Sequence, residues 1–310
     1  MEYRSLGDSD LRVSEICLGT WTTFGGSLDD AAAIGLVDAA FDLGINFFDT
    51  ANVYSGGRSE EVLGRALAKR PRDSYVLATK VWGTAPDGGR GLSRAQVLHQ
   101  IDQSLDRLGA EFVDLYQCHS WDPDVPLAET LEAMTQLVEA GKVRYVGCSN
   151  WSGEQIQRAV DLARERGYVK IVSSQPEYSL LHREPEGDVI PVSEANRISQ
   201  VVYSPLAQGV LTGKYVPGET AGEGTRASVR AEWMEFLSDD VLERVQRLRP
   251  IAEGLGTTTA QLALAWILRE PNVASAIVGA SRPEQLRDNA AASGVELDEA
   301  SLTAIDGAFA

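Results

Sequence analysis

Asp49, Tyr54, Lys80 and His119 offer a carboxylate, a phenol, an ammonium and an imidazole. Together these are the parts needed to donate a proton to a carbonyl oxygen. Three of them close three successive apolar runs, INFFDTA (45–51), YVLATK (75–80) and VDLYQCH (113–119), and Tyr54 lies just beyond Asp49. Taken singly, each has a structural reading: a helix-capping Asp, a loop aromatic, a snorkelling lysine, a hydrogen-bonded histidine. Their grouping at successive strand exits is what points to chemistry, because that face is where a (β/α)8 barrel builds its active site. His99, in a helical pattern, and His182, in a loop, read as structural or exposed.

The elements that must position these groups follow a repeated pattern. VSEICLGT (13–20) reads as a first barrel strand and leads to DDAAAIGLVDAAFDLG (29–44), whose Ala31, Ile34, Val37 and Phe41 keep helical spacing. INFFDTA leads to SEEVLGRALAK, YVLATK to RAQVLHQIDQSLDRLG, and VDLYQCH to LAETLEAMTQLVEAG. VRYVGCSN (143–150), VKIVSSQPEY (169–178), SQVVYSPLAQG (199–209) and VASAIVGAS (273–281) complete eight strands, each followed by a helical or longer segment. Such alternation predicts a parallel sheet with crossover helices, and eight units suggest closure. An open doubly wound sheet is the rival, but no G-x-G-x-x-G or Walker A sequence is present. The expected fold is therefore a (β/α)8 TIM barrel, one domain over 1–310. Residues 3–12 have hairpin character around Gly7-Asp8 and could plug the barrel's bottom. The seventh and eighth strands are far apart, and the excess near 207–245 reads as a long functional loop, a possible lid with Trp233.

Bulk properties narrow the partners. The 310 residues are 44% hydrophobic and 24% charged, ordinary for a globular protein with a core that needs no staples. A net charge of −17 argues against nucleic acid or an anionic membrane. Cys17, Cys118 and Cys148 lie in apolar runs with no C-x-x-C pair, so they read as buried core thiols. No apolar run approaches a membrane span, and MEYRSLGDSD has no signal-peptide core, so the expected location is the cytoplasm. No metal-ligand cluster is visible and the chemistry requires none. The acidic surface offers no obvious assembly patch.

GINFFDTANVYSGGRSEEVLGRAL resembles the aldo-keto reductase signature around the catalytic Asp and Tyr. YVLATKV resembles the segment of its catalytic Lys, and VDLYQCHSWD that of its His. VRYVGCSNW, SSQPEYSLL, VVYSPLAQGVLTGKY and IVGASRPEQLRDN are similar to its cofactor-binding segments, in the same order. The SPLAQGVLTGKY type is more like the bacterial branch and the potassium-channel beta subunits than the aldose reductase branch. The resemblance implies hydride transfer between a nicotinamide and a small-molecule carbonyl, with Tyr54 as proton donor. A phenol has a reference pKa near 10, so Lys80 is expected to lower it, Asp49 to hold Lys80 charged, and His119 to orient the carbonyl.

The same resemblance assigns the cofactor side. Gly19, Thr20, Trp21 and Asp49 fall in the first segments; Ser149, Asn150 and Gln175 match residues that hold the carboxamide; Tyr203 matches the aromatic that stacks on the nicotinamide. Ser204, Pro205, Leu206, Gly209, Leu211, Gly213 and Lys214 follow in the loop expected to cross the pyrophosphate. Gly279, Ser281, Arg282, Gln285 and Asn289 resemble the adenosine segment, where a helix start with Pro283 and a guanidinium suit a phosphate. This favours NADPH, with NADH possible. Trp21, Trp82 and Trp121, with Tyr54 and His119, are expected to line the substrate pocket. Two alternatives stay open: a cofactor-binding regulatory or redox-sensing subunit, and a sugar or polyol dehydrogenase working in the oxidative direction.

Overall fold

The computed structural model describes residues 1–229, 231 and 234–309. Trp233, the expected lid residue, lies outside them. A hairpin of β1 (Tyr3–Ser5) and β2 (Arg12–Ser14) precedes a closed barrel. The barrel strands are β3 (Ile16–Gly19), β4 (Phe47–Asp49), β5 (Val76–Val81), β6 (Val113–Cys118), β7 (Val143–Ser149), β8 (Ile171–Gln175), β9 (Ser199–Val202) and β10 (Val273–Val278). They run parallel in the order β10-β3-β4-β5-β6-β7-β8-β9, the (β/α)8 barrel the alternation predicts.

The crossover helices are α1 (Asp30–Asp42), α2 (Arg58–Leu67), α3 (Arg94–Leu108), α4 (Leu127–Glu139), α5 (Gly153–Arg166) and α6 (Val189–Ala195). After β9 come α7 (Arg226–Val229), α8 (Asp239–Gln246), α9 (Leu248–Gly254) and α10 (Thr259–Leu268); α11 (Pro283–Ala290) and α12 (Glu299–Phe309) follow β10. Local chemistry sets their ends. Ser152 and Gln155 form a capping box on α5, Thr258 and Gln261 one on α10, and Gly109 and Gly167 close α3 and α5 in left-handed conformation.

Two expectations are corrected. The run 13–20 is not one strand. Ser14 Oγ turns onto the Ile16 carbonyl, and Glu15 leaves the ladder to meet Arg4. Residues 12–14 therefore pair antiparallel with β1, while 16–19 enter the barrel beside β10. The excess after the seventh strand is only partly loop, since α8 and α9 occupy its end and α10 is the crossover. Every α10 residue except Gln261 is buried, so this helix shows no one-sided stripe to read from sequence.

The hairpin does plug the barrel. Leu6, Leu11 and Val13 pack with Cys17, Phe47, Val76, Ala78, Leu115, Val172, Val201 and Ala274 inside the cylinder. Gly7 makes the tight turn with φ +59°; a Cβ there would lie 2.4 Å from the Val172 carbonyl oxygen. Alternate strand residues, such as Ile16, Leu18, Phe48 and Leu77, face the helices in the larger outer core. All three cysteines are buried thiols. Among the described residues no helix is long and apolar enough to cross a membrane.

Candidate active site

Period-two alternation carries the interior upward from apolar to polar. Above Phe47, Ala78 and Leu115, which fill the lower barrel, the same inward register reaches Asp49, Lys80, Gln117 and His119. Lys80 and Gln117 are direct cross-strand partners, and the His119 amide continues the ladder by donating to the Val81 carbonyl at 2.8 Å. Tyr54 enters from the turn after β4, where its amide donates to the Ala51 carbonyl.

The four groups converge. Lys80 Nζ is fully buried and donates to Asp49 Oδ1 in a tight ion pair, to the Thr50 carbonyl at 2.9 Å and to the Tyr54 hydroxyl at 3.2 Å. The Tyr54 hydroxyl lies 3.5 Å from His119 Nε2, with the two rings edge to face. The second oxygen of Asp49 accepts from Gln175 Nε2 at 3.0 Å and, at the limit of hydrogen-bond length, from Gln117 Nε2 at 3.5 Å.

Burial and charge set the protonation states. Burial alone would lower the Lys80 pKa, but the Asp49 carboxylate and Tyr54 outweigh it, so Lys80 is raised and stays an ammonium. Burial raises the Tyr54 phenol, and Lys80 only partly offsets it. Lys80 lowers it as expected, but burial outweighs Lys80 and the net direction is upward. The phenol thus holds its proton at neutral pH, as an acid must before it donates. Burial, reinforced by Lys80, lowers His119 to about 3, so its imidazole is neutral.

Sequence reading missed several supports. Gln117 has no sequence signal beyond its inward register. Gln175, expected to face a cofactor, here serves Asp49 as well. Glu60 is buried on α2 and accepts from Thr79 Oγ1 and Arg107 Nε, which pins the Lys80 strand to α2 and α3. Thr20, expected in the first cofactor segments, is buried on the α2 side, with its hydroxyl accepting from Ser59 Oγ at 2.7 Å and donated to the Asp49 carbonyl at 3.1 Å.

Residues 15–309 match the Aldo/keto reductase family. The chain belongs to it. Among its relatives, "Probable voltage-gated potassium channel subunit beta" of Oryza sativa subsp. japonica is 39% identical over 295 residues, covering 93% of this chain and 90% of that protein. The protein so named in Arabidopsis thaliana gives the same values. "Putative voltage-gated potassium channel subunit beta" of Schizosaccharomyces pombe is 39% identical over 297 residues, covering 93% and 86%.

Aldo/keto reductases are oxidoreductases that generally bind a nicotinamide cofactor, and the remaining segments of this one can be tested for fit. They occupy the other half of the barrel mouth. Ser149 Oγ donates to the Gln175 carbonyl, Asn150 Nδ2 to Ser149 Oγ and to the His119 carbonyl, and Tyr203 OH to Asn150 Oδ1. Ser204, Ala207 and Gln208 hold positive φ, and Gly209 follows at +96°, so the 204–213 loop is tightly coiled after β9. Within it Gln208 Oε1 is buried without a partner. Pro205 and Gly213 are buried, Leu206 is half-buried, and the Leu211 side chain is spent in the core, which leaves its backbone for any ligand contact. Lys214 is exposed beside this loop. Gly19 is closed off under Ile277.

At α11, Arg282 is the exposed N-cap, Gly279 and Ser281 are exposed, Gln285 accepts from Ser281 N and Oγ, and Asn289 is buried. One cation was not anticipated. Arg226 of α7 lies 5.8 Å from the Trp21 ring and donates to Thr22 Oγ1 at 3.4 Å, with no carboxylate partner among the described residues. Burial lowers its pKa. A part-buried guanidinium with no carboxylate partner among the described residues and two exposed cations suit a ligand carrying several phosphates.

The expected tryptophans are placed around the tetrad's half. Trp21 is 45% exposed, its ring 6.5 Å from that of Tyr54. Trp82 follows Lys80 by two positions and carries Arg90 over its ring. Trp121 packs edge-on against Trp151 at 5.0 Å, so part of its surface serves packing.

Proposed function

We propose that this aldo/keto reductase reduces an aldehyde or ketone to an alcohol with NADPH. The observation that supports this best is the unbroken chain Asp49–Lys80–Tyr54–His119 at one mouth of the barrel. When bound, the reduced nicotinamide supplies a hydride to the carbonyl carbon. The neutral His119 and the Tyr54 hydroxyl, 3.5 Å apart, can both address one carbonyl oxygen. His119 orients it, and Tyr54 donates the proton. Lys80, already bonded to that hydroxyl, stabilises the phenolate left behind, and Asp49 keeps Lys80 charged. Ser149, Asn150 and Gln175 would hold the carboxamide and Tyr203 would pack against the ring. Lys214 and Arg226 would meet the pyrophosphate. Arg282, with Ser281 and the α11 start, would meet a 2′-phosphate, which favours NADPH over NADH. The same residues would run a sugar or polyol oxidation in reverse.

The reading is tested with Tyr54→Phe. Cofactor binding, followed by fluorescence titration, is expected to stay within about twofold, while kcat for a screened aldehyde falls on the order of 10²–10⁴-fold. Near-normal kcat would remove Tyr54 as the donor. The names of the relatives, potassium channel beta subunits, favour one second reading, a regulatory subunit; in that reading the protein keeps the cofactor and signals its redox state. Oxidation of bound NADPH in a single turnover, with no steady-state turnover for any carbonyl, would favour that reading.

A further inference from the structure

We infer that the substrate pocket carries a carboxylate-recognition group, Arg90, so that the preferred carbonyl compounds bear a carboxylate remote from the reacting carbon. This rests on the reductase reading above.

The position of Arg90 follows from the loop that carries it. Residues 82–92 leave the strand of Lys80 and fold back on themselves: Gly91 N donates to the Trp82 carbonyl at 2.7 Å and Ala85 N to the Gly89 carbonyl at 2.8 Å. The loop is then tied to both neighbours of the site. The modest space at Gly83 abuts Val53, next to Tyr54. Leu92 N donates to Asp122 Oδ2 at 2.8 Å, on the loop that bears His119 and Trp121. Trp82 itself sits one residue past Val81, whose carbonyl accepts from His119 N. Arg90 therefore stands over a tryptophan between the Tyr54 and His119 sides of the mouth, with its guanidinium carbon 4.7 Å from the ring centroid.

Its guanidinium is not locked in a salt bridge. Arg90 is exposed and, among the described residues, forms no ion pair, although the chain has 45 acidic residues. The carboxylates nearest in the loop are already engaged. Asp87 accepts from His99, Gln100 and Gly89 N. Asp122 accepts from Leu92 N and Asp124 N. A guanidinium stacked on an indole keeps its N–H edge free, which is the arrangement that grips a carboxylate through two hydrogen bonds. The other cations at the site cannot do this work. Lys80 is fully buried and paired to Asp49, and His119 is neutral. Strand order separates Lys214: β5, which leads to Arg90, lies diametrically opposite β9, which leads to Lys214. Arg226 stands instead beside Trp21 and Thr22, beyond β3, two strands away from β5. The two nearby Asp side chains also make a monoanion a better occupant than a phosphate dianion.

The test compares 4-carboxybenzaldehyde with its neutral methyl ester, methyl 4-formylbenzoate, in wild type, Arg90→Met and Arg90→Lys. Wild type is expected to favour the acid by about tenfold in kcat/KM, expressed in KM and weakened by added salt. Arg90→Met should lose that preference, Arg90→Lys should keep part of it, and the ester should not share the loss. Equilibrium titration of both compounds by tryptophan fluorescence gives a second readout independent of turnover. No preference for the acid in wild type, or a preference that survives Arg90→Met, overturns the proposal. Discrimination in binding without turnover of either compound would sink the reductase reading and leave the carboxylate site standing.

Discussion

Asp49→Asn removes one charge from the most deeply buried part of this protein while keeping the side chain's shape. Lys80 is fully buried and its ammonium has three partners, the Asp49 carboxylate, the Thr50 carbonyl and the Tyr54 hydroxyl. Only the first is a counter-charge. Stripping a buried ion of its partner costs about 3–5 kcal/mol. The asparagine oxygen still accepts a hydrogen bond, so the expected loss at pH 7 is toward the lower figure, about 3 kcal/mol, read from the urea midpoint at unchanged m. The pH dependence gives a sharper signature. In wild type the Lys80 pKa is raised, so its contribution is present below the unfolded value and is lost only as pH rises through the higher folded one. Without Asp49 the effect of burial is left largely unopposed and the folded pKa drops below the unfolded value near 10.4. The unfolded chain then binds more protons, so the variant gains stability as pH rises toward 10, by up to about 1.4 kcal/mol per pH unit. Asp49→Leu combined with Lys80→Met should recover part of the loss, because no buried charge remains. A variant within about 1 kcal/mol of wild type at pH 7, and flat to pH 10, would refute the account of a charged Lys80 held by Asp49.

Two further outcomes are expected. Arg282→Ala should raise the KM for NADPH about tenfold, on the order of 1.4 kcal/mol, and leave that for NADH nearly unchanged; equal effects on both would take Arg282 out of the 2′-phosphate site. His119 has its pKa lowered from 6.5 to about 3, so it favours the folded state above pH 6.5 and this advantage is lost as pH falls toward 3. Because the ring is only half-buried, replacing it with Gln should flatten the acid limb of stability by about 2 kcal/mol near pH 4, followed by melting temperature against pH, and an unchanged limb would contradict the burial of this ring.

What the amino-acid order determined was local. Eight apolar runs alternating with helical patterns announced a parallel barrel, and long motifs placed Asp49, Tyr54, Lys80 and His119 on its strand exits. The signal was weakest where local pattern is weakest. Residues 13–20 look like one strand because nothing in their hydrophobicity marks the turn of Ser14 and Glu15. The α10 helix is apolar from Leu262 to Leu268, because that stretch is buried on every side. Tertiary structure alone decided the energetics of the site. Lys80 lowers the Tyr54 phenol, but the net direction depends on how much water the closed barrel removes, and that removal wins. Gln175 reaches Asp49 across 126 positions, Arg226 reaches Thr22 across 204, and Arg90 settles on Trp82 rather than on an acid. Periodicity reports a residue's immediate neighbours, whereas desolvation and charge pairing sum over groups that only closure of the cylinder brings together.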